Sequence, residues 1–299
     1  MKKFKRNLAM QWQLHIMLIP AIVLVFIFSY IPLYGLVIAF QKYNPAMGFN
    51  SPWIGFGNFT NLFRQPSFVQ TIWNTFYIAV MKIIGGIIVP VTFSLLLNEF
   101  NKRSTKRFFQ TMIYIPNFLS WVILGGVMME LLSLEGVANQ FLGLFGIGPV
   151  LFLGEPKIFP WTMIISDIWK TFGFGTVVYL AAITSIDPGL YDAAVIDGAK
   201  RWKQTIYVTL PLMMPIITLM SILALGNVLN AGFDQIYNLY GPIVFDTGDI
   251  IDTYVYRVGM ERAQYALGTA VGMFKALVSG TLIILSYILA DKVAGYRGF

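Results

Sequence analysis

An all-α, polytopic membrane protein with six transmembrane helices is the fold class this sequence predicts, and three observations predict it. Apolar residues make up 57% of the 299-residue chain and charged residues only 12%, with a mean hydropathy of +0.69. A soluble domain carries about 25% charged residues, so this composition suits lipid. Six apolar runs each reach or exceed the ~20 residues that cross a bilayer as a helix. The basic residues then gather in alternate connecting segments, as loops on the two sides of a membrane do. The length leaves no room for a large soluble domain, so residues 1–299 are expected to form a single transmembrane domain.

The chain opens with a basic stretch, Lys2, Lys3, Lys5 and Arg6. The first run, 14–40, is too long for a signal-peptide core and no small-residue cleavage site follows it. It is expected as a retained span, with Pro20 and Pro32 tolerated near its ends. His15, the only histidine, sits at the inner boundary and is assigned no role. Residues 41–70 form an outer loop rich in Pro, Gly, Asn and aromatics, including Trp53-Ile54-Gly55-Phe56-Gly57-Asn58-Phe59. The second run, 71–97, contains Lys82, Gly85, Gly86 and Pro90. Its glycines would let neighbouring helices approach, and its proline would bend the helix.

A basic loop over 101–107 precedes the third run, 108–132, which holds Pro116. After a Gly-containing connection, 133–157, the fourth run covers 158–183. There Asp167 and Lys170 stand at i, i+3, the spacing of an ion pair. The fifth run is 211–236, the next outer connection 237–264, and the sixth run 265–290. A short tail with Lys292 and Arg297 ends the chain.

Charge orients these runs. With the N-terminus inside, the inner segments hold thirteen basic residues and the outer ones five (Lys42, Arg64, Lys157, Arg257, Arg262). Lys82, Lys170 and Lys275 lie within spans. The positive-inside rule therefore places both termini, and the segment 187–210, in the cytoplasm. The net charge of +7 is thus explained by topology, with no nucleic acid needed.

That segment is polar between apolar neighbours. Asp187 is placed to cap a helix, because its carboxylate can accept from orphan N–H groups of the first turn. Pro188 follows at the first helical position, where a missing N–H costs nothing. Ala193 and Ala194 keep one helix face thin. Gly198 falls where the helix should end in a left-handed turn. Lys200, Arg201 and Lys203 supply cations, and Pro211 is expected to start the next helix.

Asp192-Ala193-Ala194, then Gly198, then Val208-Thr209-Leu210-Pro211 resemble, in register, the "EAA" loop of permease subunits of binding-protein-dependent ABC importers. Asp192 stands where that loop has Glu and Val208 where it has Ile. Ile196-Asp197-Gly198-Ala199 and Trp202 look like the carbohydrate-uptake branch, the maltose and oligosaccharide type. The segment 53–59 is similar to that branch's "FVGxxNF" element. The resemblance implies the type I ABC importer permease fold. It also implies that Asp192, Ala193, Ala194, Asp197, Gly198 and Ala199 couple the chain to a separate ATPase. The partners it implies are a second permease subunit, two ATPase subunits and an extracytoplasmic solute-binding protein. Mg-ATP would bind the ATPases, leaving this chain without a cofactor.

The substrate path is sought where polar groups enter a span against their transfer cost. Asn227, Asn230 and Asp234 fall at i, i+3 and i+7 of the fifth run, which is one helical face. The Asn227/Asn230 pair matches paired asparagines that contact the sugar in the family the loop resembles. Tyr240-Gly241-Pro242 resembles its Gly-Gly-Pro. For these residues, hydrogen bonding between permease subunits is the competing reading. Trp169 and Phe174 offer aromatic faces on which sugar rings stack.

Own chemistry is not expected. No GxxxxGK[ST] is present to cradle phosphates. No cysteine occurs, which removes disulfides and thiolate metal sites. The expected function is therefore a transport subunit in the cytoplasmic membrane, importing a sugar, an oligosaccharide by preference, through alternating access. A polyol or glycerol-phosphate-like solute is the second substrate reading. A self-contained secondary carrier is the other class, and the internal repeat it should show is not evident.

Overall fold

The computed structural model describes residues 12–100 and 102–294. The basic Lys2, Lys3, Lys5 and Arg6, the tail residue Arg297 and the side chain of His15 lie outside the described residues. No β-strand occurs among the described residues; one antiparallel bridge pairs Gln41 with Trp53. Among the described residues four helices are long and apolar enough to cross a membrane, or up to six if each of two bent pairs is one crossing. The chain divides into two compact units, one up to Arg64 with Val255–Met273, the other Gln65–Tyr254 with the residues from Phe274 on.

In the first unit, α1 (Trp12–Val25) continues through a wide turn at Phe26–Tyr30 and a tight one at Ile31–Phe40. The wide turn closes with Ile31 N–H on Phe26 O, which absorbs the missing donor of Pro32 just beyond it. A short helix, α2 (Gly57–Phe63), lies within the 41–70 connection. Asn58 explains why the 53–59 element has its form. Its buried amide donates to Ala39 O at 2.8 Å and Gln41 O at 2.9 Å, tying α2 back to the end of the first span. Phe40 stacks on Trp53 at 5.5 Å and meets Phe56 edge-on at 5.5 Å, so the loop is fastened by rings as well.

The second unit is built on α3 (Pro66–Asn98), which packs along α7 (Phe159–Thr184). Gly85 of α3 lies beneath Ile168 of α7, where a Cβ would stand 2.1 Å from Ile168 Cδ1 and force that side chain aside. Between these two helices in sequence come α4 (Arg103–Phe118), α5 (Trp121–Leu131) and α6 (Val137–Gly143). The third apolar run is therefore not one straight helix: α4 and α5 meet at 104°. Pro116 weakens the end of α4, Leu119 is extended, and Ser120 restarts the chain as an N-cap accepting from Ile123 N–H.

Beyond α7 the chain bends by 67° into α8 (Pro188–Ile196). α9 (Arg201–Gln204) leads through a wide turn, Thr205–Thr209, into α10 (Leu210–Leu225). Tyr179, Ile183 and Met213 form the core beneath this loop, covered by Val91, Leu95 and Ile216. Pro211 stands in the first turn of α10, as its position in the sequence predicts, but the chain is already helical before it. The helical course runs unbroken from Arg201 to Leu225. Leu210 N–H bonds five residues back to Thr205 O, and this widened turn relieves the clash that proline makes with the preceding turn.

The fifth run also ends early. α10 stops at Leu225, residues 226–232 are unwound, and α11 (Phe233–Leu239) starts anew. Gly232, at φ +95°, supplies the backbone reversal. The 237–264 connection then holds α12 (Phe245–Gly248) and α13 (Ile251–Val255), before α14 (Tyr265–Ala294).

Candidate functional site

Two places gather the expected residues, the loop around α8 and the unwound segment after α10. α8 is capped at both ends by its own neighbours. Asp187 Oδ1 accepts from Gly189 N–H at 2.9 Å, and Pro188 occupies the first turn. At the other end Gly198 adopts φ +77°. Gly198 N–H then donates to Val195 O at 3.0 Å and Ala199 N–H to Ala194 O at 2.8 Å, the doubly bonded left-handed terminus. Asp197 is the last residue before that turn.

The outer surface of this helix is apolar as well as charged. Val195, Ile196 and Trp202 are exposed, with 86% of Ile196 uncovered, beside exposed Asp192, Ala193 and Asp197. Its inner side is anchored: Tyr191 Oη meets Thr209 Oγ1 at 3.0 Å, and Ala194 is half-buried. Arg201 pairs with Glu99 at the end of α3 at 2.9 Å. Both partners are largely exposed, so this pair contributes at most about 1 kcal/mol. A cleft of about 620 Å³ opens between these elements, lined by Leu95, Glu99, Tyr191, Lys200 and Arg201 among others.

The second place corrects two expectations. Asn227, Asn230 and Asp234 do not share a helical face. Asn227 and Asn230 lie in the unwound segment, and Asp234 lies in the first turn of α11. The asparagines still converge, with Asn230 Nδ2 3.4 Å from Asn227 Oδ1. Nor do Asp167 and Lys170 pair with each other. Asp167 faces Lys82 of α3 at 3.6 Å, while Lys170 Nζ donates to Asn117 O at 3.2 Å and lies over the Trp121 ring. The i, i+3 spacing was outweighed by partners on facing helices, which are closer once α3, α4 and α7 pack.

Lys82 and Lys275 are residues that sequence reasoning left without a role. The buried Lys82 ammonium donates to Ala231 O at 2.7 Å and to Gln235 Oε1, beside the Asp167 carboxylate. Gln235 in turn donates to Met163 O and Ser166 Oγ, both at 2.8 Å. Lys275 of α14 holds Asp252 at 2.6 Å and 2.8 Å and Asn230 Oδ1 at 2.9 Å. Lys82 and Lys275, both within apolar runs, thus meet a carboxylate and an amide oxygen, which offsets the cost of a charge away from water. A cleft of about 260 Å³ runs along this cluster, lined by Lys82, Asp167, Asn227, Asn230, Ala231 and Gly232. Trp169 and Phe174 are exposed on α7 and do not line it.

Comparison with known proteins covers both places. Residues 82–295 match the family described as binding-protein-dependent transport system inner membrane component. The polygalacturonan/rhamnogalacturonan transport system permease protein YteP of Bacillus subtilis (strain 168) is 38% identical over 97% of this chain and 91% of its own. A chain from the crystal structure of a bacterial ABC transporter involved in the import of the acidic polysaccharide alginate superposes with a TM-score of 0.89. It is 36% identical, over 97% of this chain and 99% of that one. A chain from the bacterial alginate ABC transporter in complex with an alginate pentasaccharide-bound periplasmic protein gives 0.87 at 36% identity, over 97% of each chain.

Proposed function

This chain belongs to the family of binding-protein-dependent transport system inner membrane components, and from that premise we propose that it is the permease subunit that passes an oligosaccharide into the cytoplasm. The observation that carries the reading is α8, a short helix with both ends satisfied and an apolar outer face. Such a helix suits docking into a cleft of a separate ATPase. Closure of two ATPase subunits on Mg-ATP would then move this chain and a second permease between outward-open and inward-open arrangements.

Asn227 and Asn230 are the proposed sugar contacts, because their amides line a cleft in an unwound segment where backbone and side chains both offer hydrogen bonds. Asp234 borders that segment, and the exposed Trp169 and Phe174 are proposed faces on which sugar rings stack. The periplasmic partner named with the alginate transporter supports an extracytoplasmic binding protein as donor of the sugar. The names of the relatives, which concern polymeric sugars, support an oligosaccharide over a monosaccharide. Both termini and the α8 loop are proposed to lie in the cytoplasm, by the charge distribution.

Reconstitution tests the reading. The chain, co-expressed with its permease and ATPase partners and placed in proteoliposomes, should take up oligosaccharide only with ATP and a loaded binding protein. Purification from the membrane without any ATPase, or uptake indifferent to ATP, would refute it. Lys203→Cys should resist an impermeant thiol reagent in intact cells and react once the membrane is opened.

A further inference from the structure

The unwound segment 226–232 is held from two sides by lysines of different helices. Lys82, on α3, donates to the backbone at Ala231 O and to Gln235 at the start of α11. Lys275, on α14, donates to the Asn230 side chain and to Asp252. An unwound stretch leaves carbonyls without ladder partners, and away from water each such group is costly. Lys82 satisfies one of them directly. Gly232 makes the approach possible, since a Cβ there would stand only 3.0 Å from Lys82 Nζ.

Lys275 has a chemical consequence for the asparagines. An ammonium only donates, so the atom of Asn230 that faces it must be the amide oxygen. The amide nitrogen is thereby turned toward Asn227 Oδ1. Each carbonyl oxygen of the pair already holds a donor, while both N–H groups of Asn227 and one of Asn230 remain to donate to a ligand. We propose that Lys82 and Lys275 are positioning residues of the substrate path. Lys82 fixes the backbone at Ala231, and Lys275 turns the Asn227/Asn230 pair into a donor site for acceptor oxygens, such as a glycan's carboxylate or ether oxygens. The ligand half of this proposal rests on the reading of the asparagines as sugar contacts; the backbone half does not.

The test uses the complete transporter in lipid nanodiscs and proteoliposomes, with Lys82→Met, Lys275→Met and the corresponding arginine variants. Backbone amide exchange over 226–233 reports the clamp whether or not a sugar binds. Lys82→Met should speed it about tenfold, and Lys82→Arg much less. Unchanged exchange would overturn the backbone half. If Lys82→Met does not assemble, Gln235→Leu, which removes one acceptor of the ammonium, should speed the same exchange by an intermediate factor. No change there overturns the clamp equally.

Lys275→Met should leave the maximal uptake rate within about twofold and raise the half-saturating concentration about three- to tenfold. The rise should be larger for a uronate-containing oligosaccharide than for its neutral counterpart, and Lys275→Arg should restore most of the affinity. A loss of rate alone, or equal effects on both sugars, would overturn the donor-site assignment. Absence of sugar uptake by the parental complex would defeat the transport reading instead, with the exchange result still deciding the clamp.

Discussion

Tyr191 and Thr209 stand 3.0 Å apart through their hydroxyl oxygens, across the whole loop that separates α8 from α10. This contact joins the exposed helix to the base of the fifth span, where Thr209 is buried. Tyr191→Phe removes it with little change of shape. The expected loss is about 0.5–1.5 kcal/mol of local stability. ATPase activity of the assembled transporter should survive while uptake per ATP falls, which paired measurement of the two rates in proteoliposomes would detect.

Gly198→Val puts a β-branched residue at φ +77°. A residue forced into that region costs of order 1–3 kcal/mol, and here the strain would open the terminus of α8. Uptake should drop well below half while the permease still reaches the membrane. Gly198→Asn, which tolerates a left-handed turn, should retain most activity. Full uptake by the valine variant would show that the turn is unimportant.

Asn58→Ala deletes two donors to the carbonyls of Ala39 and Gln41, in a buried setting. Leaving such groups without partners costs about 1–3 kcal/mol each. The variant should lower the thermal midpoint of the purified complex by several degrees. A conservative Asn58→Asp should fail to rescue it, because a carboxylate cannot donate.

The double variant Asn227→Leu/Asn230→Leu removes the amides that line the cleft. On the proposed sugar contact, each lost bond is worth roughly 0.5–1.5 kcal/mol, so uptake should weaken several-fold or more. Assembly and basal ATPase activity should remain. Collapse of the permease pair would instead assign the asparagines to contact between subunits, and unchanged uptake would eliminate both roles.

How much of this was legible in the sequence depended on the range of the interaction. Asp187, Pro188 and Gly198 declare a helix and its ends because capping involves residues within a turn of one another. The same locality made the apolar runs readable. Lys82 and Ala231 are 149 positions apart, and nothing near either residue names the other. Asp167 had a plausible partner at Lys170, and only the packing of α3 on α7 diverts it to Lys82. The unwound segment was hidden because its neighbours are apolar, although Gly226 and Gly232 bracket it. Pro211 was legible as a first-turn residue of α10, but the helical course before it was not, because no short pattern marks the widened turn.

The self-contained caps of α8 have a consequence for how this surface can change over time. Its terminal N–H and C=O groups are satisfied by Asp187, Gly198 and Ala199, all inside the loop. Substitutions on the exposed face, at Asp192, Val195 or Ile196, leave those bonds untouched. The helix therefore behaves as an interchangeable fitting. Its outward residues are free to drift toward a different docking partner while the framework that holds the helix stays constant.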